Sequence, residues 1–424
     1  MVRRALMLKA MSQGLLLGSL AACSAPPASP LYQNQTGDGL PSSDLSPGIT
    51  PEAAAPSTEP KTANPSSGAQ SPIVSAPATS QGPPIMSSPS ETVKYSLLFI
   101  GGGSPKIDVY KFDKSTGTAT FLSSTSVPNA TPTFLAIHAK KKLLFAGDDS
   151  NEKVKSYSVN AATGVLTFLS DASMKDSPTH VSVDTDGNFV FAASYIGGHV
   201  ESYPVGSDGH LGAPVSDLYA GQNAHEGLLN VKGDHLWVPC LGSNYLAQYS
   251  VANGVLTPSN PATIPTGAAG PRHFANHPNG KWIYLIYENS SALQAYTFDG
   301  TTLVANGSAV SSLASPVSGN TGAEIQVHPN GKFVFGSNRG DDSIASFSVS
   351  DMGQLTLLKQ TKSGGVMPRH FSLDASGAWM TVAHQTSGGV TIFAVNPATG
   401  ELIPKGTALN YDSAQFAQIV DFTE

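Results

Sequence analysis

The sequence predicts an all-β fold, a seven-bladed β-propeller with four antiparallel strands in each blade. A unit of about 46 residues recurs seven times between Tyr95 and the C-terminus, and glycine turns are frequent, with 42 glycines in 424 residues. A fixed period of this length is typical of one propeller blade per repeat. Each unit carries one aromatic anchor in an alternating strand: Tyr110, Tyr157, Tyr203, Tyr249, Tyr296, Phe347 and Phe393.

The unit from Gly270 to Val310 shows how one blade is built. We predict four strands in it, at residues 272–276, 281–287, 292–298 and 302–310. The Asn279-Gly280 pair between the first two supplies the positive φ values of a hairpin turn. The next unit repeats the plan with Asn330-Gly331 at the same place.

The two ends of the chain are predicted to complete one blade together. The first unit begins at Tyr95 with a second strand, residues 97–101, and lacks the first strand of the later units. Residues 415–422 remain after the outer strand of the seventh unit and can fill that gap. Their pairing would close the ring and remove exposed strand edges.

Residues 1–23 are predicted to be a secretion signal. Basic residues precede an apolar stretch, residues 14–22, that is too short to span a bilayer. Its end, Leu20-Ala21-Ala22-Cys23, resembles the lipobox of bacterial lipoproteins, in which the cysteine carries the lipid. The alternative is an incidental cysteine. An acylated Cys23 would anchor the protein to the cell envelope. Ser24 follows it, and resemblance to the sorting rule of enteric bacteria implies the outer membrane as destination.

Residues 24–92 are predicted to be a disordered tether, followed by the propeller at residues 93–424. The tether holds fourteen of the 31 prolines with Ser, Ala and Thr between them, so it cannot bury enough apolar area to fold. Cys240 has no partner once Cys23 is acylated, and we therefore expect no intramolecular disulfide.

Composition excludes some classes of function. The net charge of -7, with a charged fraction of 12%, lacks the basic face that nucleic acid requires. His-x-His, His-Glu-x-x-His and Cys-x-x-Cys spacings are absent, as are nucleotide-binding glycine motifs and a Gly-x-Ser-x-Gly elbow. We expect no metal, no cofactor, no serine nucleophile and a monomer.

Antiparallel pairing places the start of the first strand and the end of the second at the same rim of each blade. This rule collects charged and polar residues from the third to the seventh blade at one mouth of the central channel. They are His180, Tyr195, His225, Glu226, Arg272, His273, Glu288, Asn289, Glu324, Asn338, Arg339, Arg369, His370, His384 and Gln385. The alternative interpretation is that these are ordinary solvent-exposed loop residues without a functional role. The functional interpretation gains because such charges are costly to desolvate near a channel unless they are paired.

The opposite rim receives the Asn-Gly turns, which carry His277 and His328. We interpret these two histidines as turn residues and not as ligands.

Several of the rim strings resemble those of the lactonase β-propellers. The strings are Gly270-Pro271-Arg272-His273, Tyr287-Glu288-Asn289, Ala323-Glu324-Ile325, Ser337-Asn338-Arg339-Gly340-Asp341-Asp342-Ser343-Ile344 and Pro368-Arg369-His370. That family includes the bacterial propeller-type 6-phosphogluconolactonases and the fungal carboxy-muconate cyclases. The resemblance covers about Tyr95 to Glu424.

The resemblance implies a site built from four catalytic residues: His225, Arg272, Glu288 and Arg339. Five further rim residues are expected to bind substrate: His180, His273, Glu324, Asn338 and Arg369. The chain departs from the family at Glu226, Tyr287, Cys240 and His384. These changes affect the rim more than the four catalytic residues, so they bear on the identity of the substrate more than on the type of reaction.

Two functions from different classes follow. The first is a metal-independent lactone hydrolase, in which Glu288 or His225 is the base and the two arginines stabilise the oxyanion or bind an anionic group. Export argues against a phosphorylated sugar lactone, which is a cytoplasmic metabolite. The second is a non-catalytic propeller that binds a protein or glycan in the envelope. Convergence of the four catalytic residues on one ligand distinguishes the first from the second.

Overall fold

The computed structural model describes residues 92–423, apart from the side chains of residues 406–408, and builds them from β-strands. Residues 1–23 with Cys23, and the tether up to residue 91, lie outside the described residues. Within the described range, no helix has the length and apolar character needed to cross a membrane.

The strands follow one another along the chain without interruption by helices. In order they are β1 (Val93–Gly102), β2 (Lys106–Asp113), β3 (Thr118–Ser126), β4 (Pro132–His138), β5 (Leu143–Asp148), β6 (Lys153–Val159), β7 (Leu166–Ser173), β8 (Pro178–Val183), β9 (Phe189–Ser194), β10 (His199–Pro204), β11 (Ser216–Tyr219), β12 (Leu228–Leu229), β13 (His235–Cys240), β14 (Tyr245–Ala252), β15 (Val255–Pro265), β16 (Pro271–Asn276), β17 (Trp282–Tyr287), β18 (Ala292–Phe298), β19 (Leu303–Ala305), β20 (Val310–Ser311), β21 (Gly322–Val327), β22 (Phe333–Asn338), β23 (Ser343–Val349), β24 (Leu355–Lys362), β25 (Pro368–Leu373), β26 (Trp379–His384), β27 (Val390–Val395), β28 (Leu402–Leu409) and β29 (Ala414–Thr423).

These strands form seven antiparallel sheets, one for each blade of a propeller. Blades two, three and four are β4–β7, β8–β11 and β12–β15, and blades five, six and seven are β16–β20, β21–β24 and β25–β28. Blade one has the order β29, β1, β2, β3. The C-terminal strand thus pairs with the first strand of the chain from Val93↔Thr423 to Gly102↔Ala414, which confirms the predicted closure of the ring.

The outer strand of blade five differs from the prediction of one continuous strand at residues 302–310. It is two pieces, β19 and β20, which both pair with β18. Gly307 lies between them at φ +82°, and Gln294 Nε2 donates to its carbonyl at 3.0 Å. A positive φ interrupts a strand, so the turn at this glycine divides the edge of the blade.

The hydrophobic core is divided into seven clusters, each between two neighbouring blades. Six of the seven aromatic anchors are buried in these interfaces, whereas Tyr110 is half-buried against the edge of Phe121. Full burial of a large apolar side chain contributes about 1.5–3 kcal/mol. The anchors therefore explain the repeat: each one fills the wedge between its blade and a neighbour.

An ion-pair cluster joins the two sides of the seam where the ring closes. Lys114, in the turn after β2, contacts Asp374 of blade seven at 2.7 Å and Asp421 of β29 at 2.5 Å. The Asp374 side chain is fully buried and also accepts from the backbone N–H of Trp379. A buried carboxylate is costly without a cation, so Lys114 fixes blade seven to blade one.

The histidines of the opposite rim connect blades, as expected of turn residues. His277 Nε2 lies 2.9 Å from the carbonyl of Gly331, and His328 Nε2 lies 3.1 Å from that of Gly377. A Cβ at Gly331, which has φ +72°, would lie 2.6 Å from the His277 ring. These glycines serve both the turn and the close approach of the neighbouring histidine.

Candidate active site

A β-bulge near the start of the innermost strand orients side chains toward the channel. In blade five Pro271 pairs with Tyr287 and His273 with Ile286, which leaves Arg272 without a partner in the register. The same step occurs between Pro132 and Phe134, Pro178 and His180, and Pro368 and His370. A bulge re-aims side chains, so two consecutive residues, such as Arg272 and His273, line the same cavity.

The cavity lies at the mouth of the channel and is narrow: the centre of a water molecule can occupy about 10 Å³ of it. All seven blades contribute to its wall. The lining residues are Gln415 from blade one, Thr133 and Phe134 from blade two, Thr179 from blade three, His225 from blade four, Arg272 and His273 from blade five, Glu324 from blade six, and Arg369 and His370 from blade seven.

Glu288 is held between two guanidinium groups beside this cavity. Its Oε1 lies 2.9 Å from Arg339 Nη2, and its Oε2 lies 3.1 Å from Arg272 Nε, although that N–H is not aligned for a hydrogen bond. Burial raises the pKa of Glu288, but the charges of Arg272 and Arg339 outweigh it and hold the pKa below its usual value. Glu288 is therefore an ionised carboxylate that positions both arginines.

Arg272 is the most deeply buried charge of the site, with 1% of its surface exposed. Its Nη1 donates to the carbonyl of Ala323 at 2.6 Å. Burial and the neighbouring charges of Arg339 and Arg369 lower the pKa of Arg272 to about 9, so it remains protonated at neutral pH. Such a fixed guanidinium in a dry site is suited to stabilising a developing negative charge.

Arg369 completes a group of three arginines and lines the cavity. It makes no hydrogen bond and no ion pair with any residue that the structure describes. Burial, followed by the charge of Arg339, lowers the pKa of Arg369. This is the direction expected for a buried cation whose charge nearby carboxylates do not fully offset. The sequence from residue 92 to 423 contains three arginines, and all three lie at this site.

Two histidines and a glutamate form a buried chain that starts at the cavity. His225 Nδ1 lies 3.0 Å from His273 Nε2, and His273 Nδ1 lies 3.1 Å from Glu324 Oε2. Burial, with the charge of Arg272 next, lowers the pKa of both histidines well below the usual value, so they are neutral at pH 7. The His225 ring also packs against Tyr195, with centroids 5.6 Å apart.

Phe134 lines the cavity and packs against aromatic rings from four other blades. Its ring contacts His180, His273, His370 and Phe416 at centroid distances of 4.2, 6.2, 5.4 and 5.1 Å. Among the described residues, no group of three or more His, Cys, Asp or Glu is arranged to hold a metal ion.

The structure brings together all four residues predicted to be catalytic, together with Arg369. The other predicted substrate-binding residues are placed differently. His273 and Glu324 line the cavity but are bonded to each other, and His180 lies behind Phe134 with its Nε2 3.6 Å from Glu226.

Asn338 is not part of this group. Its amide is bonded to Ser312, Asn320 and Ser343 within buried loops of blades five and six. Strand-end position predicted the correct rim for Asn338, but its side chain connects these loops and does not line the cavity.

Sequence reasoning missed Phe134, Thr133, Thr179, Phe416 and Gln415. A signal for the first three is present, because Pro132-Thr133-Phe134 and Pro178-Thr179-His180 stand at the same place in their units as Pro271-Arg272-His273. Alignment of the repeats on that proline would have assigned their side chains to the channel.

Comparison with known proteins identifies the family. A family model described as "Lactonase, 7-bladed beta-propeller" matches residues 92–419. The chain belongs to this family. Membership in the lactonase propellers supports a hydrolase of the lactonase type.

Two relatives of this lactonase propeller illustrate its similarity in sequence. It is 32% identical over 294 residues to a 6-phosphogluconolactonase of Pectobacterium carotovorum subsp. carotovorum (strain PC1), covering 68% of this chain and 87% of that protein. It is 30% identical over 298 residues to a 6-phosphogluconolactonase of Bacillus subtilis (strain 168), covering 66% of this chain and 85% of the relative.

Solved structures share the fold. A periplasmic gluconolactonase of Pseudomonas aeruginosa matches with a TM-score of 0.72 at 24% identity, covering 77% of this lactonase propeller and 99% of that chain. A putative 6-phosphogluconolactonase of Bacteroides fragilis matches with a TM-score of 0.72 at 24% identity, covering 79% and 100% of the two chains.

Proposed function

We propose that this lactonase propeller hydrolyses an anionic sugar lactone or a similar cyclic ester by direct attack of water, without a metal. The observation that carries the proposal is the grouping of four residues: His225 and Arg272 line one small cavity, and Glu288 beside it contacts both Arg272 and Arg339. A surface that only displayed a face to a protein or glycan has no need for this arrangement.

Arg272 and Arg339 supply the positive charge that the reaction needs. As water adds to the lactone carbonyl, negative charge develops on the oxygen, and preorganised guanidinium groups stabilise it. Glu288 contacts both arginines and keeps them close despite their mutual repulsion. We assign Glu288 to this positioning task, since each of its two oxygens already contacts a guanidinium group.

His225 is the better candidate for the base. It is neutral, lines the cavity, and its Nε2 makes no hydrogen bond to another residue in the described part of the chain. His225 takes one proton from the attacking water, so the oxygen bonds to the carbonyl carbon. When the ring C–O bond breaks, the protonated His225 returns that proton to the leaving alkoxide, and a hydroxy acid is the product.

Arg369 supports an anionic substrate, because its guanidinium lines the cavity and makes no hydrogen bond or contact ion pair with a described residue, while the carboxylates that act on it, Glu288, Asp149 and Glu324, lie farther away. We expect Arg369→Met to raise KM about 10- to 100-fold for glucono-1,5-lactone 6-phosphate, the loss of one charge-assisted contact. KM for unphosphorylated glucono-1,5-lactone should change much less. Steady-state kinetics of the purified full chain on both lactones measures the difference.

The matched control is Lys362→Met, which removes one positive charge from an exposed side chain that pairs with the half-buried Asp341. Equal KM changes for both lactones in Arg369→Met would contradict the anion-binding role. No turnover above buffer by the wild-type protein on any lactone would favour the envelope-binding module instead.

The location of the protein is a further part of the proposal. The lipobox-like end of the leader supports export and anchoring through a lipid on Cys23, with the outer membrane as destination. We expect Cys23→Ser to move the protein out of the membrane fraction when cells are fractionated. Retention of the variant in membranes to the wild-type level would exclude the cysteine as the anchor.

A further inference from the structure

We propose that His273 and Glu324 act with His225 as a proton relay that runs from the cavity, across blades four, five and six, to a buried carboxylate. The inference rests on the proposed function, since it explains how His225 is made a base. His273 and Glu324 are positioning residues in this scheme, because they act through His225 and do not touch the reacting atoms.

The geometry of the chain is continuous, and its three side chains are almost fully buried. The two successive contacts, 3.0 Å between His225 and His273 and 3.1 Å between His273 and Glu324, are both hydrogen-bond distances. All three residues are at most 5% exposed, and the edge of Phe134 covers His273. His273 and Glu324 also line the cavity, so the hydrogen bonds between the three residues follow its wall.

The carboxylate end determines which nitrogen of each histidine carries a proton. Glu324 Oε1 accepts the backbone N–H of Ile325 at 3.0 Å, and its Oε2 is left to accept from His273 Nδ1. A neutral histidine has one N–H, so a proton on Nδ1 of His273 makes its Nε2 an acceptor. His225 must then donate from Nδ1, and its own Nε2 presents a lone pair to the cavity.

The relay balances in protons without any further reactant. As His225 Nε2 takes a proton from water, its Nδ1 proton passes to His273 Nε2, and the Nδ1 proton of His273 passes to Glu324 Oε2. The reverse transfers return one proton to the leaving alkoxide. Burial raises the pKa of Glu324, against the charges of His370 and Arg272, which brings the carboxylate closer to a histidine in basicity.

The surroundings are consistent with a single direction for the relay. His370 accepts the Ala417 N–H on Nδ1 at 3.3 Å, so its proton is on Nε2, which lies 3.9 Å from Glu324 Oε2. Its proton therefore also points toward an accepting oxygen. Glu226, another buried carboxylate, accepts from the N–H of Phe274 and contacts His180, outside the chain.

The first test is the tautomer of His225, read from long-range ¹H–¹⁵N spectra of the ¹⁵N-histidine-labelled full chain at neutral pH. We expect a proton on Nδ1 and none on Nε2 in the wild-type protein. In Glu324→Gln the amide oxygen keeps the Ile325 N–H, so the amide nitrogen donates to His273 and both histidine tautomers invert. Glu226→Gln, the matched control, should leave the tautomer of His225 unchanged.

The second test is kinetic. Glu324→Gln should lower kcat at least about 100-fold with little change in KM, because a triad histidine held in the wrong tautomer loses about 10⁴-fold. Glu324→Asp should restore part of kcat, and proton inventories in H₂O and D₂O mixtures should change from curved in the wild type to linear in Glu324→Gln.

The outcomes separate the relay from the lactonase assignment. An active wild-type protein whose His225 carries its proton on Nε2 would overturn the relay and leave the hydrolase intact. The expected tautomers in a protein without turnover would support the relay geometry and overturn the lactonase proposal. If Glu324→Gln does not fold, the tautomer of His225 in the wild-type protein is by itself the test of the relay.

Discussion

Replacement of Arg272 by methionine is expected to lower kcat/KM by about 10²–10³-fold on any lactone that the protein hydrolyses, the effect of losing one oxyanion donor. Arg272 combines three properties: almost complete burial, a 2.6 Å bond to the Ala323 carbonyl and a 3.1 Å contact with Glu288. The charge is therefore preorganised, and water cannot replace it. Steady-state kinetics of the purified variant measures the loss.

The stability of the variant must be measured as well, because Arg272→Met removes one of the two arginines that contact Glu288 and leaves only Arg339. Thermal unfolding should accompany the kinetics, and activity should be compared per folded molecule. Lys359→Met is the matched variant: it also removes one positive charge, from an exposed pair with Glu401, and should leave kcat/KM unchanged. A folded Arg272→Met protein that retains a tenth of the activity would contradict the oxyanion role.

Replacement of His225 by asparagine is expected to lower kcat by about 10²–10⁴-fold with a smaller change in KM, as for loss of a general base. The pH profile should change as well. Burial, with Arg272, His273, Arg369 and Arg339 around the ring, lowers the pKa of His225 well below 6.5. The base form exists above that pKa and is lost as pH falls through it, so the acid limb of the wild-type profile lies below pH 6.5.

The measurement is kcat/KM between pH 4 and 7, a range in which spontaneous hydrolysis by hydroxide is slow. His277→Asn is the matched control: it changes a histidine of the opposite rim that contacts Gly331. It should reduce stability by about 1 kcal/mol and leave the acid limb in place. A His225→Asn profile parallel to that of the wild type would assign the acid limb to another group.

Some features of the site could be predicted from strand position alone. Arg272, Glu288 and Arg339 follow from the rule that strand ends share a rim, and the structure places them in contact. Asn338 obeyed the same rule but is bonded within the loops. Position along a strand specifies the rim, whereas the direction of a side chain depends on local twist and on neighbours from other units.

The bulge is the feature that sequence reasoning lacked. A regular strand alternates its faces, so Arg272 and His273 should point to opposite sides. The extra residue at the start of the innermost strand lets both line the cavity. The hydrogen-bonded series His225–His273–Glu324 includes His273 and so depends on this bulge. Its three residues belong to different blades and lie 48 and 51 positions apart in the sequence.

The repeat period was sufficient to predict the number of blades, the position of the aromatic anchors and the closure of the ring by the C-terminal strand. These features are local or periodic: a strand must alternate, a turn needs its glycine, and equal units must pack alike. Export and the lipid on Cys23 are predictions of the same local kind. The ion pairs of Glu288, the place of Arg369 at the cavity and the contacts from His225 to Glu324 were decided by the tertiary structure. They depend on ångström distances between side chains of different blades, and no spacing along one chain encodes those distances.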